Sequence, residues 1–321
     1  MSSLKEYTPI GELVSKLSAR GMILDELSAH QWLCNVGYYR LSAYWYPYRK
    51  LIQENPPRRG DTFVPGTNFG DIAILYEFDR KLRTLIHDGI ERIEIGLRAQ
   101  LNEYLGETDG ALAYKNPENF RDGFDHARWL DQANKRVGRA RRHNEAIRHH
   151  NKHYDGRLPI WVLSEVLDFS DVSKLYEGLP TKAQYRIAEN LGIRIDLSKL
   201  SANQQKKAKR SHPLVRWFEH LTIVRNTSAH HSRVWNRSFT PVPTAALRTM
   251  EQLQTLPQAQ NEQIYGSLCV MNVLLSKLAP NTTWPLKVRK LIEGSFSVLA
   301  HRETSEMGCP LGWQEDQVWR D

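Results

Sequence analysis

Cysteine is scarce. The 321 residues hold three, Cys34, Cys269 and Cys309, odd in number and far apart. That pattern excludes a disulfide framework and a cysteine zinc site, and it fits a reducing cytoplasm. Long apolar runs are missing as well: mean hydropathy is −0.55 and no stretch of 18 apolar residues occurs, so no membrane span is expected. The opening residues, MSSLKEYTPIGELV, lack the apolar core and small-residue cleavage site of a secretory signal. Strand signals are nearly absent, and neither an internal repeat nor a low-complexity segment appears.

What is present is ordinary in bulk and unusual in charge. The apolar share is 40% and the charged share 25%, enough for a soluble chain with a sizeable core. Net charge is +8 and the isoelectric point is near 9.3, with 28 Arg against 16 Lys. An arginine-rich excess attracts polyanions and grips phosphate in bidentate fashion, which points to nucleic acid as partner.

Helical periodicity dominates the chain. Thr8-Pro9 opens a short helix ending at Gly21, and Ser28 can cap a second one. The aromatic block from Gly37 to Tyr48 reads mainly as core, with Arg40 able to point out to a phosphate. Residues 53–68 read as a loop or short hairpin. Apolar residues then repeat at three and four from Asn68 to Gly106, predicting one long helix. On it, Glu94 and Arg98 are i,i+4 and can pair. Such a pair is usually surface decoration, but beside a site it can orient a catalytic arginine.

The segment 134–153 is the most basic. It carries Lys135, Arg136, Arg139, Arg141, Arg142, Arg148 and Lys152 on an expected helix, and like-charge repulsion there calls for a nucleic-acid backbone. Glu145, His149 and His153 share a helical face, but the adjacent positive charge works against a metal, and no metal or cofactor is expected. Residues 159–179 predict a helix with an apolar run that includes Trp161, and Glu165 one turn later is the internal candidate partner for Arg225. Lys206, Lys207, Lys209 and Arg210 fall in an expected basic loop at 201–210. Thr244–Leu256, Glu262–Leu278 and Pro285–Ala300 are predicted amphipathic helices, and the tail beyond residue 300 reads as irregular. The class is all-α.

The chemistry concentrates in Trp217–His231, where an apolar helical run delivers Arg225, Asn226, His230 and His231. An arginine followed four to six residues later by histidine is a weak signal, since chance supplies about three such spacings here. Only Arg225 is followed directly by an amide and preceded by an apolar helix. The i,i+4 relation puts Asn226 and His230 on one face, with Arg225 about 100° round from Asn226. His231 satisfies the looser spacing.

Arg225-Asn226-Thr227-Ser228-Ala229-His230 resembles the Arg-Asn-x-x-x-His motif of HEPN-superfamily ribonucleases. The stretch Gly37–Pro47, Pro159-Ile160-Trp161 with Glu165, and Gly308-Cys309-Pro310 with Trp313 resemble abortive-infection proteins of the AbiD/AbiF type. The resemblance spans roughly residues 5–319. It implies a HEPN-like helical bundle, a bacterial phage-defence role and association with a small structured noncoding RNA. It also implies Arg225 and His230 as a catalytic pair supported by Asn226, with His231, Glu165, Glu94 and Arg98 in lesser roles. HEPN sites typically bring two motifs together, so a homodimer with a composite cleft is expected. The domain expectation is an N-terminal helical and aromatic segment (1–60), a HEPN-like domain (61–300) with a basic insertion around 124–155, and a tail (301–321) packing on the core. The leading reading is a metal-independent endoribonuclease; the alternative is an RNA-binding protein that does not cleave.

Overall fold

The computed structural model describes residues 6–52 and 55–320. Among them the chain forms, in order, α1 (Ile10–Ala19), α2 (Glu26–Val36), α3 (Tyr38–Trp45), β1 (Arg49–Ile52), β2 (Arg58–Phe63), α4 (Phe69–Asp109), α5 (His126–Ala140), α6 (Glu145–His153) and α7 (Ile160–Leu163). There follow α8 (Phe169–Gly178), α9 (Thr181–Asn190), α10 (Ala202–Arg210), α11 (Leu214–Ala229), β3 (Val242–Pro243), β4 (Gln260–Asn261), α12 (Ile264–Leu278) and α13 (Trp284–Phe296). Two small antiparallel pairs, β1–β2 and β3–β4, are the sheets described, so the all-α class holds. The expected hairpin at 53–68 is β1–β2; Gln53 and Glu54 lie outside the described residues.

The chain packs as two compact units, residues 1–83 with 288–306, and residues 84–287 with 307–321. In the first, the aromatic block is core: Tyr44, Trp45 and Tyr48 are buried, whereas Tyr39 is exposed. They join Ile72, Leu75 and Phe78 from the start of α4, and Phe296 of α13 meets Phe78 edge-on at 5.2 Å. Within this apolar packing sits a polar triad. Tyr44 Oη donates to Asp79 Oδ2 at 2.7 Å, and Arg83 is ion-paired with the same carboxylate.

The second unit is built around α11. Trp217, Phe218, Leu221 and Val224 are fully buried, and Phe218 receives the edges of Phe169 and Tyr176 from α8. The apolar stripe Ile86, Ile90, Ile93, Leu97, Leu101 and Leu105 of α4 is buried throughout, as the periodicity predicts. Close approach to α12 depends on Gly96, where a Cβ would stand 2.8 Å from Leu278 Cδ1. The tail's last turns pack on α12: Tyr265 Oη donates to Asp316 at 2.7 Å and receives Trp319 Nε1–H at 3.0 Å.

Four local expectations are corrected. Residues 201–210 are a helix, not a loop, because Ser201 and Gln204 form a reciprocal capping box at its start. The basic segment is two helices; Asn144 accepts from Ile147 N–H and starts α6 afresh after the break at 141–144. The run 159–179 also divides. Leu167 is extended, and the Asp168–Asp171 capping box begins α8 anew. Thr244–Leu256 holds only short 3-10 turns around an extended Met250. There the Thr249 hydroxyl donates to Ala246 O and accepts from Asp196 N–H, competing with helical bonding.

Candidate functional site

Arg225 lies just before the last turn of α11 and is half-buried. Its Nη1 donates to Asn226 Oδ1 at 3.2 Å, so the amide following it in sequence holds the guanidinium. The helix ends in a Schellman closure. His231 N–H bonds Ser228 O at 3.0 Å and Ser232 N–H bonds Thr227 O at 3.1 Å, with His231 at a positive φ of 56°. Glycine usually takes that position; histidine there holds a left-handed backbone costing roughly 1 kcal/mol. The consequence is directional. His230, at φ −82°, stays on the helical track four residues after Asn226, and His231 turns off it. Both imidazoles are exposed.

A cavity of about 410 Å³ opens beside Arg225. Its lining includes His87, Glu91, Glu94 and Arg98 from α4, Glu165 from the turn after α7, and Arg225. The structure thus brings Glu94, Arg98 and Glu165 to Arg225 from segments 60 or more residues away in sequence. His230 and His231 are not among the lining residues.

The expected Glu94–Arg98 pair is made, and it is not surface decoration: its side chains are only 15% and 14% exposed. Arg98 Nη2 also donates to Leu167 O at 2.7 Å, and one turn on, Asn102 Nδ2 donates to Ser164 Oγ at 3.1 Å. These two α4 side chains tie down the turn that carries Glu165. Arg98 is therefore a fixed anchor with its charge balanced by Glu94. Arg225 forms no ion pair among the described residues, although Glu165 lines the same cavity. Glu165 itself is exposed, which corrects its expected internal position, and Trp161 of the same apolar run is 50% exposed. The cause is the break at Leu167: a single-turn helix followed by a 3-10 turn has one face to bury, and Ile160, Leu163 and Ser164 occupy it.

Sequence reasoning missed His87 and Glu91 as cavity residues. The signal that marks them is a polar stripe at i, i+4, i+7 and i+11 (His87, Glu91, Glu94, Arg98) running alongside the apolar one on α4.

The other cations divide. Arg136 binds Asp171 Oδ2 at 2.7 Å and also Asp168, so this arginine joins α5 to α8 instead of facing a ligand. The bonds to the Asp171 and Asp168 carboxylates raise the Arg136 pKa. Lys135 pairs with Asp131 at 2.7 Å on an exposed face. Arg139, Arg141, Arg142, Arg148 and Lys152 are exposed on or between α5 and α6; Lys206, Lys207, Lys209 and Arg210 are exposed on α10. Arg40 is exposed on α3 of the first unit.

Two further histidines are structural. His220 Nδ1 bonds Thr240 O and its Nε2 bonds Ser267 Oγ; burial lowers its pKa. Burial pushes His212 down to about 3, and its Nδ1 accepts from Leu214 N–H at 3.1 Å. With the folded value below the unfolded one near 6.5, the unfolded chain binds the extra proton, so stability falls as pH drops from about 6.5 toward 3. His212→Asn keeps an acceptor for Leu214 N–H without a titrating ring. Urea unfolding at pH 7 and pH 5 should show a smaller acid-side loss in this variant than in the parent.

The fold and the site define a helical protein whose second unit holds a guanidinium, an imidazole and carboxylates around one cleft. The sequence profile of the Abi-like protein family matches residues 31–236, more than half of the chain, and the chain belongs to that family. No curated protein and no solved structure matches it. No helix among the described residues is long and apolar enough to cross a membrane.

Proposed function

We propose that this chain is an endoribonuclease of an abortive-infection system, acting at Arg225 in a HEPN-like site. One observation carries the reading: Arg225 and Glu165, neither in an ion pair among the described residues, line one cavity. A guanidinium binds anionic oxygens and a carboxylate accepts from a hydroxyl. A ribose phosphate offers both groups on neighbouring atoms; a deoxyribose phosphate lacks the hydroxyl. The family's name points to the biological setting, abortive infection during phage attack.

In the proposed reaction the ribose 2′-oxygen attacks phosphorus in line and the bond to the 5′-oxygen breaks. The products are a 2′,3′-cyclic phosphate and a 5′-hydroxyl. The 2′ proton passes to a base and the leaving oxygen gains one from an acid. Arg225 stabilises the charge that builds on the phosphoryl oxygens. His230, kept on the helical track with Asn226, is the proton-transfer group at the edge of the site, and His231 is the helix terminator. Because His230 does not line the cavity of its own chain, the working site is composite and is completed by a second copy about a two-fold axis. The exposed cations of α5, α6 and α10 hold the RNA backbone, a small structured noncoding RNA among the candidate partners.

The test is direct. Purified protein in EDTA should cut a single-stranded RNA oligonucleotide to fragments ending in cyclic phosphate, and should leave the DNA of the same sequence intact. Binding of the RNA without cleavage would replace this reading by that of an RNA-holding protein.

A further inference from the structure

A second cavity, of about 900 Å³, lies in the same unit among residues that take no part in the proposed cleavage step. Four cations line it from three separate segments: Arg121 from the loop before α5, Lys207 and Arg210 from α10, and Arg216 from α11. Two acids, Asp122 and Glu177, stand with them. Arg121 approaches Glu177 at 3.6 Å, and Arg216 is paired with Glu219 at 2.8 Å. Lys207 and Arg210 form no ion pair among the described residues. The cavity therefore holds two cations that no described carboxylate pairs within ion-pair distance, although Asp122 lines the same space.

These cations are not on a loose surface helix. α10 buries only Ala208, yet hydrogen bonds fix it to α9: Tyr185 Oη donates to Ala208 O at 3.1 Å, and Thr181 Oγ1 donates to Arg210 O at 2.9 Å. Immediately after α10, His212 N–H donates to Gln184 Oε1 at 2.9 Å. The helix backbone that carries Lys207 and Arg210 is thus set before any ligand arrives, which lowers the ordering cost of binding. Pro213, Val215, Pro243 and Ala246 give the wall an apolar part, beside the polar Thr181, Gln204, Ser211 and His212. A bare inorganic anion would leave that apolar wall wet. The size and the mixture fit a ligand with an anionic end and a flat, weakly polar body.

We propose that this cavity binds the phosphate end of a nucleotide, its phosphate held by Lys207 and Arg210 and its base and sugar against the apolar wall. Two sources present this chemistry: a free mononucleotide, and the 5′-phosphorylated end of an RNA strand. The assignment gives two of the α10 cations a narrower task than general backbone attraction. It rests on the anion-binding part of the functional reading and is independent of cleavage at Arg225.

The experiment is calorimetric titration at low ionic strength, in the full chain carrying Arg225→Ala so that no RNA is consumed. The probes are AMP, a 5′-phosphorylated RNA tetranucleotide and the same tetranucleotide with a 5′-hydroxyl. Binding of AMP assigns the site to a mononucleotide; binding of the phosphorylated strand alone assigns it to a strand end. In either case Lys207→Glu with Arg210→Glu should weaken binding roughly tenfold or more, as loss of charge-assisted contacts requires. Lys287→Glu with Lys290→Glu alters net charge equally on the exposed face of α13 and should leave it nearly unchanged. The proposal is overturned if neither phosphorylated probe binds, or if the 5′-hydroxyl strand binds as tightly as its phosphorylated form. It is also overturned if the α10 double variant binds like its parent, or if the α13 variant loses as much. Because every arm lacks Arg225, failure here leaves the ribonuclease reading standing, and failure of that reading leaves this site standing.

Discussion

Arg225→Ala is expected to slow single-turnover RNA cleavage in EDTA by about 10²–10³-fold, the usual cost of removing one preorganised charge-stabilising donor. The chain should stay folded. Arg225 is half-buried, and among the described residues its side chain makes one hydrogen bond, to the exposed neighbour Asn226. Losing one such bond at the surface moves stability by about 1 kcal/mol or less, too little to unfold the chain. RNA affinity should change little, because the exposed cations on α5, α6 and α10 carry the backbone contacts and remain. The informative result is thus a split: rate lost, affinity and unfolding midpoint kept. An Arg225→Ala protein that cleaves at the parental rate removes Arg225 from the chemistry altogether.

The largest effect on stability is expected at the other end of the chain. Asp79→Ala should lower the unfolding free energy by about 3–5 kcal/mol, the range seen when one partner of a buried ion pair is removed. Asp79 is fully buried, and both Tyr44 Oη and Arg83 Nη1 donate to its Oδ2. Burial and the adjacent Asp79 carboxylate push the Tyr44 hydroxyl up, so it stays protonated and remains a donor. Without Asp79 the Arg83 guanidinium, 5% exposed, becomes an uncompensated buried charge beside Tyr44. Urea unfolding of the variant at pH 7 checks this. Asp79→Leu combined with Arg83→Met should be less damaging than Asp79→Ala alone, because it removes both charges together. If the single and double variants lose the same stability, the loss comes from packing and not from the stranded charge.

Much of the helical framework follows from local rules, and its errors are local too. The α4 stripe is legible because one continuous face repeats every three or four residues and nothing interrupts it. The same reasoning fails at Leu167 and at residues 141–144, where Asp168 and Asn144 start new helices that apolar periodicity alone does not detect. It fails in the opposite sense at α10, where polar composition hides the capping box formed by Ser201 and Gln204. Side-chain bonding of the Thr249 kind is invisible to periodicity because its other partner, Asp196, lies 53 residues away.

By itself the sequence determined the all-α class, the single Arg225-Asn226…His230 cluster, and the excess of arginine over lysine. Each of these is a matter of composition or of spacing within a few helical turns, which the 3.6-residue repeat converts directly into a face. The tertiary structure decided which residues meet that cluster and what each does. It set His87, Glu91 and Glu165 around one cavity with Arg225, and it made Arg98 an anchor by giving it Glu94 and Leu167 O. It also took Arg136 out of the exposed basic set by surrounding it with Asp168 and Asp171, and turned His231 away through a left-handed helix end. The physical reason is the same in each case. Charge balance and burial depend on neighbours brought together by packing, and packing joins residues whose distance along the chain carries no record of the contact.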